Sequence, residues 1–185
     1  MAIEDGARAA VAAEREQLHE RFGAFETTTT RVENDPAFYE HGLDLVCETG
    51  MLADAGALVR DPRGRVLLVR HPDAPETWGT PGGGYEAVDD SLVATAVREV
   101  REETGVRCEV TDVLVARVKT IEHNEEPRSY PMLTTEFAAR SGGESAEARP
   151  GQPASATGDE EILAARWFVN PPAALHDRTR DLLAK

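Results

Sequence analysis

Cysteine is scarce in this 185-residue chain: Cys47 and Cys108 are the only two, and they stand in no CxxC or other metal-ligand spacing. This argues against a thiol-based zinc site and against a disulfide framework. It predicts two ordinary buried or half-buried thiols in a reducing compartment. Lysine is equally rare, with Lys119 and Lys185 alone, so arginine carries nearly all the positive charge. No apolar run is long enough to span a bilayer, which predicts no membrane partner. The first residues, Met1-Ala2-Ile3-Glu4-Asp5-Gly6, lack the apolar core of a secretory signal, and the expected location is cytoplasmic.

What the chain has in excess is acid. A formal net charge of −14 argues against a nucleic-acid partner, whose backbone needs a basic surface. A phosphate-bearing small molecule remains compatible, because bound divalent cations invert the local charge. An acidic, lysine-poor surface points to a salt-adapted, halophilic source, where salt screens the self-repulsion. Arginine codon bias in a high-GC genome would give the same composition.

Hydrophobic content of 41% and charged content of 29% are those of a globular protein with a real core. Residues 4–22 read as a helix with Val11, Leu18 and Phe22 near one face and Gly23 as its terminator. Phe25 to Val32, with four consecutive threonines, reads as a strand or extended connection. Asp35-Pro36 is a helix start, leading into Ala37–Val46. Nothing in residues 1–50 carries recognisable chemistry, so this part is expected to be a mainly helical extension for packing or dimerisation. A homodimer is one expected partner.

From residue 54 the pattern changes. Ala55–Arg60 and Arg65–Arg70 flank the turn sequence Asp61-Pro62-Arg63-Gly64 as a hairpin. A Gly-rich loop at 79–84 precedes a helix from about 91 to 104, with Asp89 or Asp90 as its cap. Strands are expected at 109–119, 131–138 and 165–169, a mobile loop at 140–159, and a helix after Pro171-Pro172. Interleaved strands and helices predict an α/β fold with a mixed sheet.

The chemistry concentrates on the helix after the Gly-rich loop. Val93, Ala96, Val97 and Val100 form its apolar stripe, and Glu99, Glu102 and Glu103 project from an adjoining face at i, i+3 and i+4. Three carboxylates on one patch repel each other unless something positive sits there. Hard divalent cations fit, since magnesium takes oxygen ligands and bridges substrate phosphates. A lone Glu-rich helix in an acidic protein is more often a plain solvated face, so composition alone does not decide.

The spacing does. Gly84, Arg98-Glu99-Val100, Glu102-Glu103 and Gly105-Val106 resemble the Nudix box in register. A chance match to its six fixed residues is on the order of 10⁻⁷ per start position. Trp78…Pro81-Gly82-Gly83 before the box, and Glu161…Trp167-Phe168 after it, look like the same family. The resemblance implies a Nudix-type α/β/α sandwich with a mixed β-sheet over residues 51–185. It also implies metal-dependent cleavage of a diphosphate linkage in a nucleotide such as ADP-ribose, a nucleoside triphosphate or a dinucleoside polyphosphate. Two departures stand out: the glutamate after the five-residue spacer is Asp90, and the usual glycine before it is Asp89.

Carried over position by position, the resemblance makes Glu99, Glu102 and Glu103 ligands of Mg2+ or Mn2+, joined by a backbone carbonyl of Gly83 or Gly84. Arg98 and Asp90 become structural supports. The proton acceptor is Glu161 or Glu99, with Glu122, Glu125 and Glu126 in another loop as further carboxylates. Arg70 suits substrate phosphates, with Arg128 a second cation. Trp78 and Tyr85 suit stacking on a base, although aromatics beside a Gly-rich loop commonly serve packing. His71 and His123 read as surface residues. The competing interpretation is a non-catalytic Nudix-like module that senses a nucleotide, which intact glutamates disfavour.

Overall fold

A computed structural model describes residues 2–142 and 162–185. Their elements run α1 (Ile3–Phe22), β1 (Thr27–Asn34), α2 (Pro36–Thr49), β2 (Leu52–Arg60), β3 (Val66–Arg70), β4 (Gly82–Gly84), α3 (Leu92–Thr104), β5 (Cys108–His123), β6 (Ser129–Ser141), β7 (Ala164–Phe168) and α4 (Asp177–Leu183). The strands form a seven-stranded sheet in the order β1-β5-β6-β2-β3-β7, with β4 beside β2. The sheet is mixed: β1 runs parallel to β5, whereas β2 and β3, and β3 and β7, are antiparallel.

The described chain forms two compact units. The first comprises residues 1–55, 84–95 and 113–136, and the second residues 56–83, 96–112 and 137–185.

In the first unit the N-terminal segment is woven into the fold. Thr27–Asn34 pairs residue by residue with Ala116–His123, from Thr27↔Ala116 to Asn34↔His123. Ala7 of α1 and Tyr39, Leu43 and Val46 of α2 pack with Ile121 and Tyr130 in one apolar cluster. Gly42 approaches the Tyr130 hydroxyl so closely that a methyl group there would collide with it. The Tyr130 hydroxyl donates to the Tyr39 carbonyl at 3.2 Å. Burial, reinforced by the charge of Glu4, pushes the Tyr39 phenol up to about 12. Asp35 caps α2 as the sequence predicts, accepting the Phe38 amide at 3.0 Å.

Arg128 belongs to this unit's frame. It donates to Glu4 at 2.8 Å and Glu40 at 2.7 Å, and its guanidinium lies 5.1 Å over the Tyr39 ring. That arrangement employs it in joining α1 and α2 to the start of β6, not in a phosphate site. His123 is likewise structural: its Nδ1 accepts the amides of Glu125 and Glu126 at 3.1 and 3.0 Å.

In the second unit β3 pairs with β7 from Val66↔Phe168 to Arg70↔Ala164. The preceding turn is organised by Asp61, whose side chain accepts the amides of Arg63 and Arg65 and pairs with the Arg65 Nε at 2.7 Å. β5 and β6 are longer than the apolar pattern suggests, and β6 occupies residues 140 and 141, where the sequence predicted a loop. The remainder of that expected loop, 143–159, lies outside the described residues. The last helix begins at Asp177, several residues after Pro171-Pro172. Both cysteines are free, and Cys47 is exposed where burial was expected. Cys108 is half-buried, and desolvation pushes its thiol up to about 11. Among the described residues no helix is long and apolar enough to cross a membrane.

Candidate active site

α3 begins with a side-chain cap from Ser91, whose Oγ accepts the Ala94 amide at 3.2 Å. The sequence offered Asp89 or Asp90 for that role. Asp89 is instead buried, with Oδ2 accepting both the Glu86 amide and the Thr95 hydroxyl, at 3.0 and 2.9 Å. Asp90, expected to support the loop, is exposed, and the support comes from its neighbour. The Tyr85 hydroxyl closes the same turn by donating to the Asp89 carbonyl at 3.0 Å. Desolvation, with the charges of Glu14, Asp89 and Asp90 adding to it, raises the Tyr85 pKa. These ties give Tyr85 a structural task beside the stacking one expected of it.

The glutamates lie farther along α3, in the second unit. Arg98 Nη1 donates to Glu99 Oε1 at 2.7 Å and to Glu102 Oε2 at 3.2 Å, so one guanidinium spans two of the three carboxylates. Glu103 is buried at 8% exposure, and its Oε2 accepts the Gly82 amide at 2.9 Å. His71 Nε2 stands 3.6 Å from Glu103 Oε1. A Cβ on Gly83 would lie 2.5 Å from the Glu99 carboxylate, so only glycine permits this approach of backbone to acid. Gly84 is exposed at the end of β4.

The loop carrying Gly82 and Gly83 is held from several sides. The Ala57 amide donates to the Pro81 carbonyl at 3.0 Å, and Val69 and Gly79 exchange two backbone bonds of 2.9 Å. The Thr80 amide donates to the hydroxyl of buried Thr179 in α4 at 3.1 Å. Trp78 is pinned by its backbone to Ala174 and His176. Its ring meets Phe168 edge-on at 4.9 Å and carries the Arg70 guanidinium at 5.2 Å. Arg70 Nε is buried without a hydrogen-bond partner among the described residues.

The donors suit a hard divalent cation in kind: carboxylate oxygens on one helix face, beside glycine backbone that comes within touching distance of Glu99. Among the described residues no three His, Cys, Asp or Glu side chains converge as a ready-made cage. Magnesium does not require one, since it commonly keeps several waters and takes one or two carboxylates plus substrate phosphates. Glu161 lies outside the described residues. His71, expected to be a surface residue, stands beside Glu103 instead, with no spacing after Arg70 to mark it. Thr179 carried no signal in the sequence, since it reaches the loop from 99 positions away.

Residues 51–182 match the NUDIX domain family. Over 52 residues the chain is 42% identical to an RNA pyrophosphohydrolase of Rhodospirillum rubrum, a stretch covering 28% of this chain and 31% of that protein. Over 70 residues it is 39% identical to nucleoside diphosphate-linked moiety X motif 6 of Xenopus laevis, covering 37% and 32% respectively. These alignments span about a third of either relative's length. The crystal structure of a MutT NUDIX hydrolase from Burkholderia pseudomallei is similar over 72% of this chain and 95% of that one, at 25% identity and a TM-score of 0.49.

Proposed function

Because the chain belongs to the NUDIX domain family, we propose that it is a divalent-metal-dependent hydrolase that cleaves a phosphoanhydride bond in a nucleoside diphosphate linked to a further group. Its fold is the family's α/β/α sandwich with a mixed sheet. The observation that carries the proposal is the register between Gly82-Gly83 and the glutamates of α3, with Glu103 bonded to the Gly82 amide and Glu99 against Gly83. The names of the two relatives, a pyrophosphohydrolase and a nucleoside diphosphate-linked moiety protein, agree with that chemistry.

Glu99, Glu102 and Glu103, with a carbonyl of Gly83 or Gly84, would hold Mg2+ or Mn2+. Such a cation supplies neutralisation of the anhydride oxygens and a lowered pKa for water. Arg98 keeps Glu99 and Glu102 from swinging apart by charge-assisted hydrogen bonds. Gly82 orients Glu103. Arg70, its guanidinium 5.2 Å over the Trp78 ring, offers donors to the substrate's phosphates. Glu99 and Glu161 are the two candidates for taking the proton of the attacking water. The substrate range spans nucleotide sugars such as ADP-ribose, nucleoside triphosphates and dinucleoside polyphosphates, in a soluble cytoplasmic setting.

The test is phosphate or nucleotide release from that substrate set, with and without Mg2+. Glu103→Gln is expected to lower turnover by roughly a hundredfold or more, since even outer-shell changes at metal sites cost 10–100-fold. Its circular dichroism stays that of the wild type. Nucleotide binding without hydrolysis at any Mg2+ or Mn2+ concentration overturns the proposal in favour of a sensing module.

A further inference from the structure

Residues 1–50 lie outside the family match, yet they supply a buried carboxylate, Glu14 of α1, at 7% exposure. Glu14 Oε1 accepts the Leu92 amide at 2.9 Å, across 78 positions of chain. Leu92 is the first residue of α3 and is fully buried, so its N–H has neither an acceptor within the helix nor access to water. Local side chains take other donors of that turn: Ser91 accepts from Ala94, and Asp89 accepts from the Thr95 hydroxyl. The Leu92 amide goes to Glu14. A carboxylate at this end also faces the positive pole of the helix.

We propose that Glu14 is a positioning residue for hydrolysis: it sets the start of α3, and through it the station of Glu99, Glu102 and Glu103. This rests on the reading that those glutamates hold the cation. The physical reason is the stiffness of a helix. α3 is a single run of 13 residues. Because the helix moves as one body, a start held in a different place carries every later side chain with it, and a slip of one position amounts to roughly 100° and 1.5 Å. Misplacement on the order of 1 Å costs about a hundredfold in rate where reacting groups must be aligned.

Three full-length variants test this. Glu14→Met keeps the length and stem and removes the acceptor, Glu14→Gln keeps the acceptor, and Leu18→Ala destabilises α1 through its buried face alone. The readouts are Mn2+ affinity by electron paramagnetic resonance, kcat and KM for nucleotide hydrolysis, thermal midpoint, and exchange of the Leu92 amide by NMR. Glu14→Met is expected to bind Mn2+ roughly fivefold more weakly and to lose a similar factor in kcat at unchanged KM, in line with the loss of a helix cap. Its Leu92 amide exchanges faster. Glu14→Gln stays within about twofold of wild type. Leu18→Ala lowers the midpoint and leaves Mn2+ affinity and kcat at wild-type values.

Wild-type Mn2+ affinity and kcat in Glu14→Met overturn the proposal, as does Leu18→Ala reproducing its losses. Should Glu14→Met not fold, Glu14→Asp, whose shorter arm draws back from Leu92, takes its place with the same deciding outcomes. Wild-type protein that binds Mn2+ but hydrolyses no nucleotide sinks the hydrolase reading while the Mn2+ comparison still decides the role of Glu14. Failure of the wild type to bind Mn2+ overturns both.

Discussion

Gly83 and Glu99 stand so close that a methyl group on the glycine would lie 2.5 Å from the carboxylate. The loop and the helix therefore meet backbone to acid, with no side chain interposed. Gly82, one residue earlier, adds the bond to Glu103. Two successive glycines thus address two different carboxylates.

Gly83→Ala is the direct probe of that closeness. The added carbon forces the Glu99 carboxylate away, and the expected result is Mg2+ affinity and turnover reduced by roughly tenfold or more. The thermal midpoint should move little, because Gly83 is half-buried in a strand of three residues. Isothermal titration with Mg2+, beside the hydrolysis assay, checks both halves of this expectation. Unchanged Mg2+ affinity would remove Glu99 from the ligand set.

Gly42→Ala probes the N-terminal segment in the opposite way. A methyl group here meets the Tyr130 hydroxyl, which is itself bonded to the Tyr39 carbonyl in a closed core. Overpacking of this kind costs about 1–3 kcal/mol. Chemical denaturation should show that loss, and Gly42→Ala combined with Tyr130→Phe should recover part of it, since the hydroxyl is the atom in the way.

Asp61 should make the β2–β3 turn sensitive to acid. Burial pushes its carboxyl up, but the Arg65 side chain and amide, the Arg65 charge and the Arg63 amide together outweigh that and lower the pKa. A lowered folded-state pKa gives stability that is present above the unfolded value, about 3.9, and lost as pH falls through the folded one. Asp61→Asn is therefore expected to cost about 1–2 kcal/mol at pH 7. The gap from wild type should close as pH falls below about 4 and through the lowered folded-state value, as followed by thermal midpoints in an acid series. A gap independent of pH would mean that the carboxylate charge contributes nothing.

Much of this was legible in the sequence because the signals are local. The Asp35-Pro36 start of α2, the Asp61 turn and α3 with its closing Gly105 all depend on residues within a few positions of one another. Reading failed where the deciding partner is distant or where neighbours compete. Asp89, Asp90 and Ser91 are all competent caps, and the choice went to Ser91 because Thr95 and Glu86 engage Asp89. β5 extends to His123 through residues of which only Ile121 is apolar, with β1 paired alongside, and nothing in 120–123 advertises that partner. Arg128 looked available for phosphate because its acids, Glu4 and Glu40, lie some 124 and 88 positions away. The family box placed the glutamates on one helix, but Gly82 and His71 reach Glu103 only through the fold, from 21 positions away in the case of Gly82.

The parallel pairing of Thr27–Asn34 with Ala116–His123 also orders events on the ribosome. The N-terminal strand is made on the order of ninety residues before its neighbour exists, and a parallel pair cannot close through a tight turn. Glu14 likewise emerges well ahead of Leu92. Thr27–Asn34 therefore has no strand to pair with until Ala116–His123 has been made.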